Sequence, residues 1–217
     1  MYPSQEDILN SDKLTFGLSS HVGRVRSNNQ DAAQSLFVTS ESSEDHPDFG
    51  VFVVADGMGG HHDGEKASAI TARTVTSYIM KKIYLPMFSG DEDAERIPIS
   101  EALVDSIKNA NQKVIENVPE GGTTATVVAI IGDLAHFAHV GDSRAYLITK
   151  KEMEQVTRDH SLVQRLIELG QLTPEEAEEH PQKNVLYRAL GQNETLEVDS
   201  KALRLPAGSR LLLCSDG

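Results

Sequence analysis

"VFVVADGMGGHHDGE", residues 51–65, joins an apolar run to Asp56 and a glycine-rich stretch. A short run of large apolar residues is typical of a buried β-strand, and glycine leaves the backbone after it almost bare. Two other stretches share this arrangement: "LAHFAHVGDSR" (134–144) leads to Asp142, and "RLLLCSDG" (210–217) leads to Asp216. One Asp-Gly pair alone usually marks a turn. Three apolar runs that each end in an aspartate beside a glycine predict one site assembled from distant parts of the chain.

The chemistry of grouped carboxylates favours a cation. Without basic partners, neighbouring carboxylates repel one another, so a cluster must keep a proton or bind a positive ion. Asp31, within "RVRSNNQDA" (24–32), adds a fourth carboxylate to the set. Oxygen ligands favour hard ions such as Mg²⁺ or Mn²⁺ over Zn²⁺. The only cysteine, Cys214, excludes a zinc site built on several thiolates.

Helical periodicity appears in three segments. Apolar residues recur at helical spacing over residues 64–83 and 100–117, with Ser100 as the expected N-cap of the second helix. Residues 162–169 form a third candidate helix with Ser161 as its cap. The sequence "TPEE" at 173–176 predicts a capping box with proline in the first turn of a further short helix.

The remaining apolar runs predict strands. "ATVVAII" and "LAHFAHV" flank Gly132 and Asp133, which predict a tight hairpin, and "AYLIT" follows soon after, which favours a β-meander. Strands at the start, middle and end with helices between them indicate an α+β or layered α/β fold in which antiparallel pairing dominates. No linker divides the sequence, so we expect one domain over residues 1–217.

Composition and missing motifs exclude several classes of protein. The net charge of −13 argues against a nucleic-acid partner, because neutralising phosphates requires a basic surface. No apolar run reaches membrane-spanning length and the first residues do not resemble a signal peptide, so we expect a cytoplasmic protein. The sequence contains no phosphate-binding P-loop, dinucleotide fingerprint, serine-esterase elbow or H-E-x-x-H zinc motif.

Seven segments of the sequence form an ordered set: "GRVRSNNQD" (23–31), "VVADGMGGHHDGEKAS" (53–68), "GGTTATVV" (121–128), "HVGDSRAYL" (139–147), "TRDHSLV" (157–163), "LYRALG" (186–191) and "LLLCSDG" (211–217). Taken in order, these motifs resemble the metal-dependent protein serine/threonine phosphatases of the PP2C (PPM) family in their compact bacterial form. Each motif alone is weak, but seven in family order make the resemblance specific. The resemblance implies a four-layer α-β-β-α sandwich, in which two antiparallel sheets are flanked by helices.

Residue by residue, the resemblance implies a dinuclear Mg²⁺ or Mn²⁺ centre. Asp56 would bridge the two ions, and the backbone carbonyl of Gly57 would bind one of them. Asp31 would hold metal-bound water, and Asp216 would ligate one ion. Together with Asp216, Asp142 would serve a third, weaker ion. The implied reaction is the hydrolysis of phosphoserine and phosphothreonine by metal-activated water, without a covalent intermediate.

Outside the metal ligands, the resemblance assigns two catalytic residues. Arg26 matches the arginine that grips the substrate phosphate, and its planar fork can bind two oxygens at once. His61 matches a histidine near the leaving group. Met58 stands where animal members of the family carry the histidine proposed as general acid, and bacterial members usually have methionine there. We expect His62 to be an ordinary loop residue.

Four polar residues in the matching motifs are assigned structural roles. Thr123 and Thr124 are expected to pack or hydrogen-bond at a strand start, and Asp159 and His160 to cap a helix and fix a loop. Residues 164–185 fall where the family has a mobile flap beside the active site, and their acidic character is expected to influence substrate choice.

The sequence leaves two other functions open. A catalytically silent PP2C-like module could bind phosphoproteins or regulate a partner, although silent relatives lose metal-binding aspartates that are present here. A phosphatase for an anti-sigma-factor antagonist would differ only in its substrate. As partners we expect phosphorylated proteins made by a Ser/Thr kinase, with no nucleic acid or membrane, and we expect a monomer.

The family resemblance also bears on where the sequence ends. It stops at Gly217, directly after Asp216. The family continues with a helix and a closing strand that brings another metal-binding aspartate in an Asp-Asn pair. The resemblance therefore leads us to expect that this 217-residue chain is C-terminally truncated, binds metal weakly and has little activity, while a longer natural protein is active.

Overall fold

The computed structural model describes residues 14–24, 27–39, 47–59, 63–88 and 97–216. Their α-helices are α1 (Asp63–Ile79), α2 (Leu85–Phe88), α3 (Ile99–Asn117), α4 (Leu162–Glu168) and α5 (Pro174–Glu178), and one π-helical turn, Met80–Tyr84, joins α1 to α2. Their strands are β1 (Asp31–Val38), β2 (Phe49–Met58), β3 (Gly122–Thr123), β4 (Ala125–Ile131), β5 (Leu134–Val140), β6 (Arg144–Ile148), β7 (Met153–Gln155), β8 (Asp199–Arg204) and β9 (Arg210–Cys214).

The strands form two antiparallel sheets. The larger sheet has the order β1-β2-β4-β5-β8, with the short β3 paired to the end of β2. The smaller sheet has the order β7-β6-β9. Two antiparallel sheets with helices confirm the α+β class predicted from the sequence.

The predicted hairpin is present, but the predicted β-meander is wrong. Strands β4 and β5 pair directly around Gly132, which has a φ of 57°. Strand β6 does not pair with β5 and lies in the smaller sheet between β7 and β9. The chain leaves the larger sheet at Gly141, whose φ of 112° lies in a region that only glycine adopts readily. This turn carries Asp142 to the end of both sheets.

Alternating burial divides the core into two layers. Phe49, Val51 and Val53 on β2 point to one face of the larger sheet, where they pack against α1 and α3. On the other face, Val128 and Phe137 pack against residues of β6 and β9, so this layer joins the two sheets. Full burial of such side chains contributes about 1.5–3 kcal/mol each. The sheets are therefore held in a fixed relation to each other, which fixes the strand ends that carry the aspartates.

Two helix boundaries differ from the predictions. Helix α3 begins at Ile99 with Pro98 as its N-cap residue, so the expected cap at Ser100 is wrong. The Pro98 carbonyl accepts the Ala102 amide at 3.0 Å, which starts the helix before Ser100 is reached. Helix α1 ends at Ile79, and the remainder of the predicted helix, to residue 83, forms the π-helical turn.

Three capping predictions concern helices α4 and α5. The Ser161 hydroxyl caps α4 by accepting the Gln164 amide. Thr173 and Glu176 form the predicted capping box at the start of α5, with Pro174 in the first turn. All three local signals are confirmed. Among the described helices, none is long and apolar enough to cross a membrane.

Candidate active site

Each sheet places two aspartates at one of its ends. In the larger sheet, Asp31 of β1 lies directly opposite Asp56 of β2. In the smaller sheet, β6 and β9 pair with Arg144 opposite Cys214, so Asp142 and Asp216 follow at the same end, two residues beyond this pair. Strand register alone therefore creates two pairs of carboxylates from four separate segments.

The two pairs face each other. The Asp56 carboxyl interacts with the Asp216 carboxyl from the other sheet, and two carboxyls this close favour keeping a proton or binding a cation. Burial, the charge of Asp31, the interaction with Asp216 and the charge of Asp142 raise the pKa of Asp56 to about 8. Burial and the charge of Asp216 raise the pKa of Asp142 to about 6. The structure thus brings together the four aspartates that the sequence singled out.

Two buried threonines hold the backbone of Asp56. Its amide donates to Thr124 Oγ1 at 2.9 Å, and its carbonyl accepts from Thr123 Oγ1 and from the Thr124 amide, each at 2.9 Å. Thr124 Oγ1 also shares a 2.7 Å hydrogen bond with Ser143 Oγ, beside Asp142. The expected hydrogen bonding at a strand start is confirmed, and it acts directly on two residues of the site.

Gly57 is enclosed by backbone on two sides. Its amide donates to the Gln30 carbonyl at 3.1 Å. A Cβ atom at this position would lie 2.5 Å from that carbonyl oxygen, and closer still to the carbonyl of Gly64 in the first turn of α1. Only glycine fits here, and its absence of a side chain lets α1 start immediately beside the carboxylates.

A contact that the sequence did not predict fixes Asp31. Ser215 Oγ donates to Asp31 Oδ2 at 2.7 Å, although 184 positions separate the two residues. The Asp31 amide also donates to Asn29 Oδ1 at 3.0 Å. The position of Ser215, directly before Asp216, was the available signal for a role in the site. Its hydroxyl connects the carboxylate pair of one sheet to the chain of the other.

Of the remaining residues that the sequence assigned to the site, the structure describes only Met58. Arg26 and His61, as well as the neighbouring His62, lie outside the described residues. Met58 is half-buried at the end of β2, and its sulfur lies 4.0 Å from Gln192 Nε2. Contact with Met58 brings the segment after Leu190 to the edge of the site.

The residues present fit a hydrated hard cation. Across the described part of the chain, none of the four aspartates forms an ion pair with a basic side chain. No three acidic, histidine or cysteine side chains among these residues are grouped so that they could hold one ion by themselves. A cation at this place would need oxygen atoms of water or of the backbone in addition to the carboxylates.

The raised pKa of Asp56 predicts a pH-dependent stability in the metal-free protein. Its carboxyl titrates near 3.8 when unfolded and near 8 when folded, so the folded state binds more protons between these values. Stability should therefore fall as the pH rises from about 4 to about 8. In thermal unfolding with a chelator present, Asp56→Asn should flatten this dependence and raise the melting temperature at pH 8. Parallel curves for the two proteins would contradict the assignment.

Comparisons with known proteins identify the family of this chain. Residues 19–217 match the family model for Protein phosphatase 2C. Protein phosphatase PhpP from Streptococcus pneumoniae is 36% identical over 209 residues, which cover 94% of this chain and 78% of the relative.

Solved structures share the fold as well. The serine/threonine phosphatase of S. agalactiae is 36% identical with a TM-score of 0.72, and the match covers 89% of this chain and 76% of that structure. The catalytic domain of the phosphatase PstP, solved in complex with two manganese ions, is 29% identical with a TM-score of 0.67, covering 89% and 74% of the two chains.

Proposed function

Because the chain belongs to the protein phosphatase 2C family and is a protein serine/threonine phosphatase, we propose that its hydrolytic centre is dinuclear and holds Mn²⁺ or Mg²⁺. The observation that carries this proposal is the meeting of two aspartate pairs, one from each sheet, where the carboxyls of Asp56 and Asp216 interact. Because neighbouring carboxylates repel one another, a cation is favoured at this place. The proposed ligands are Asp31, Asp56, the Gly57 carbonyl, Asp142 and Asp216.

Each carboxylate has a defined task in this proposal. When bound, two divalent cations lower the pKa of a water molecule and offset the charge that develops on the phosphoryl group. Asp56 would be a ligand of both ions, since Thr123 and Thr124 hold its backbone among the other aspartates. Asp31, fixed by Ser215, would orient metal-bound water. Asp142 and Asp216 would hold a third, weaker cation.

Arg26 is proposed to bind the phosphate of the substrate, and His61 to lie near the leaving group. A charge-assisted hydrogen bond contributes about 1.5–3 kcal/mol. We therefore expect Arg26→Ala to lower kcat/KM on a phosphothreonine peptide about ten- to a hundredfold, with unchanged Mn²⁺ affinity by calorimetry. Arg26→Lys is the control, because it keeps the charge but not the planar fork, and an intermediate loss is expected. An unchanged kcat/KM for Arg26→Ala would remove this residue from the site.

The direct test of the proposed function is phosphate release by the protein. With Mn²⁺ present, a phosphothreonine peptide should release phosphate, and a phosphotyrosine peptide of the same sequence should release far less. Chelation should stop the reaction, and restored Mn²⁺ should restart it. Peptide binding without phosphate release at any Mn²⁺ concentration would instead support a silent binding module.

The proteins on which the enzyme acts carry phosphate esters, and another enzyme must form these esters. We propose a Ser/Thr kinase in the cytoplasm as this supplier, and a phosphatase that works as a monomer. The acidic residues around α5, among them Glu175, Glu176 and Glu179, lie exposed in the segment 164–185. Their charge supports the proposal that this segment influences which phosphoproteins are accepted.

A further inference from the structure

The residue before Asp142 is held through both of its backbone polar groups by two buried histidines. The Gly141 amide donates to His160 Nδ1 at 3.1 Å. The Gly141 carbonyl accepts from the His160 amide at 2.7 Å and from His139 Nε2 at 3.0 Å. A Cβ atom on Gly141 would lie 2.5 Å from the side chain of Thr124, so only glycine fits at this turn.

These contacts determine where the His160 ring carries its proton. Since Nδ1 accepts an amide hydrogen, the neutral ring must be protonated on Nε2. Nε2 lies 3.2 Å from Asp199 Oδ2 at the start of β8, which can accept that proton in a hydrogen bond. The other oxygen of Asp199 accepts from Arg188 Nη1 at 2.9 Å. Arg188 Nη1 also lies 3.2 Å from Nε2, but a protonated Nε2 cannot accept from it, so Asp199 is the partner that matches the tautomer Gly141 requires.

Both rings are suited to remain neutral. Burial lowers the pKa of His160, and burial together with the neighbouring His160 lowers the pKa of His139 to about 4. A proton on His160 Nδ1 would point at the Gly141 amide and break the hydrogen bond between them. The network of His139, His160, Asp199 and Gly141 is therefore complete only in one protonation state.

We propose that His160 is a positioning residue, which fixes the peptide before Asp142 so that this carboxylate meets Asp216, with Asp199 selecting the tautomer of the ring. The inference rests on the proposed function, in which Asp142 and Asp216 serve a third cation. It assigns a task to "TRDHSLV" beyond loop fixing, because the histidine contacts the backbone of the site by hydrogen bonds.

Two substitutions at His160 separate positioning from packing. In His160→Asn, the amide oxygen can stand near the former Nδ1 and accept from Gly141, whereas His160→Gln places its amide near Nε2 and leaves Gly141 without an acceptor. Hydrogen exchange of the Gly141 amide, followed by NMR in the metal-free protein, should be about ten- to a hundredfold faster in His160→Gln than in wild type. Exchange in His160→Asn should stay close to wild type.

A matched control exists on the surface. His180 Nδ1 accepts the Gln182 amide at 3.1 Å, so His180→Gln removes the same kind of hydrogen bond elsewhere. It should leave Gly141 exchange unchanged. Equal exchange at Gly141 in wild type and His160→Gln would overturn the proposal.

The variant Asp199→Ala tests which nitrogen of the His160 ring carries the proton. The Asp199 side chain is 46% exposed, so this substitution does not disturb a buried position. Arg188 Nη1 lies 3.2 Å from His160 Nε2 and would then donate to it, which moves the ring proton to Nδ1. Nitrogen-15 spectra of the ring should show Nε2 protonated in wild type and Nδ1 protonated in the variant, with faster Gly141 exchange. A wild-type ring protonated on Nδ1 would overturn the proposal.

The metal role of Asp142 is measured separately. In a calorimetric Mn²⁺ titration, Asp142→Asn and His160→Gln should both weaken the lowest-affinity phase, and His160→Asn should restore it. If Asp142→Asn leaves every phase unchanged, the third cation of the proposed function is wrong. The exchange and tautomer results would still decide whether His160 positions the turn.

Discussion

Asp56→Asn is expected to lower Mn²⁺-dependent hydrolysis of a phosphothreonine peptide by more than about a hundredfold. Changes that only reorient metal ligands already cost about ten- to a hundredfold, and this substitution removes a proposed bridging ligand itself. The amide is nearly isosteric with the carboxylate, so Thr123 and Thr124 can still hold the Asp56 backbone. The loss therefore reports on charge and ligation rather than on folding.

The same variant should lose the stabilisation that Mn²⁺ gives to the folded protein. Wild type should melt at a higher temperature as Mn²⁺ increases, because a ligand that binds only the folded state stabilises it by mass action. Asp133→Asn is the matched control, since Asp133 lies in the β4–β5 turn and contacts Arg204 away from the site. Retention of activity and of the Mn²⁺-dependent melting shift in Asp56→Asn would contradict a metal role for Asp56.

Gly57→Ala is expected to lower the free energy of unfolding by about 3 kcal/mol or more. Overpacking a rigid site usually costs about 1–3 kcal/mol, and here the added methyl group would meet the backbone of Gln30 and Gly64 rather than adaptable side chains. The start of α1 would have to move away from β2. Urea unfolding of the metal-free proteins measures this effect without any contribution from ion binding.

Gly17→Ala is the control for Gly57→Ala. A methyl group on Gly17 has no neighbour within 4 Å among the described residues, so its stability should stay within about 0.5 kcal/mol of wild type. Similar urea midpoints for Gly57→Ala and wild type would show that α1 can shift without cost. The Gly57 carbonyl would then not be held by the packing described here.

Local signals in the sequence predicted local structure well. The capping box at Thr173 and the cap at Ser161 depend on residues within one turn of helix, and both form as predicted. The cap at Ser100 failed because the Pro98 carbonyl starts the helix earlier. The β-meander failed for a different reason. Pairing of β6 with β9 joins strands about 60 residues apart, and the packing between sheets selects it rather than any nearby residue.

In the candidate site, too, the local features could be predicted from the sequence and the long-range contacts could not. Aspartates at strand ends could be recognised from the apolar runs that precede them, and the family resemblance supplied their order. The sequence did not show that Asp31 and Asp56 are opposite in register, or that Ser215 reaches across to Asp31. Such contacts depend on how two sheets pack, which no short motif encodes. The network around His160 was likewise visible only once β8 was placed beside β5.

An anomalous difference map from crystals of the protein grown with Mn²⁺ would locate the proposed metal centre. The strongest manganese peaks should lie within coordination distance of the Asp56 carboxylate, at about 2.0–2.6 Å, with Asp216 and the Gly57 carbonyl among the other ligands. In Asp56→Asn crystals these peaks should disappear. Manganese bound elsewhere, with no peak at Asp56 in an enzyme that still hydrolyses phosphothreonine peptides, would contradict a metal centre at Asp56.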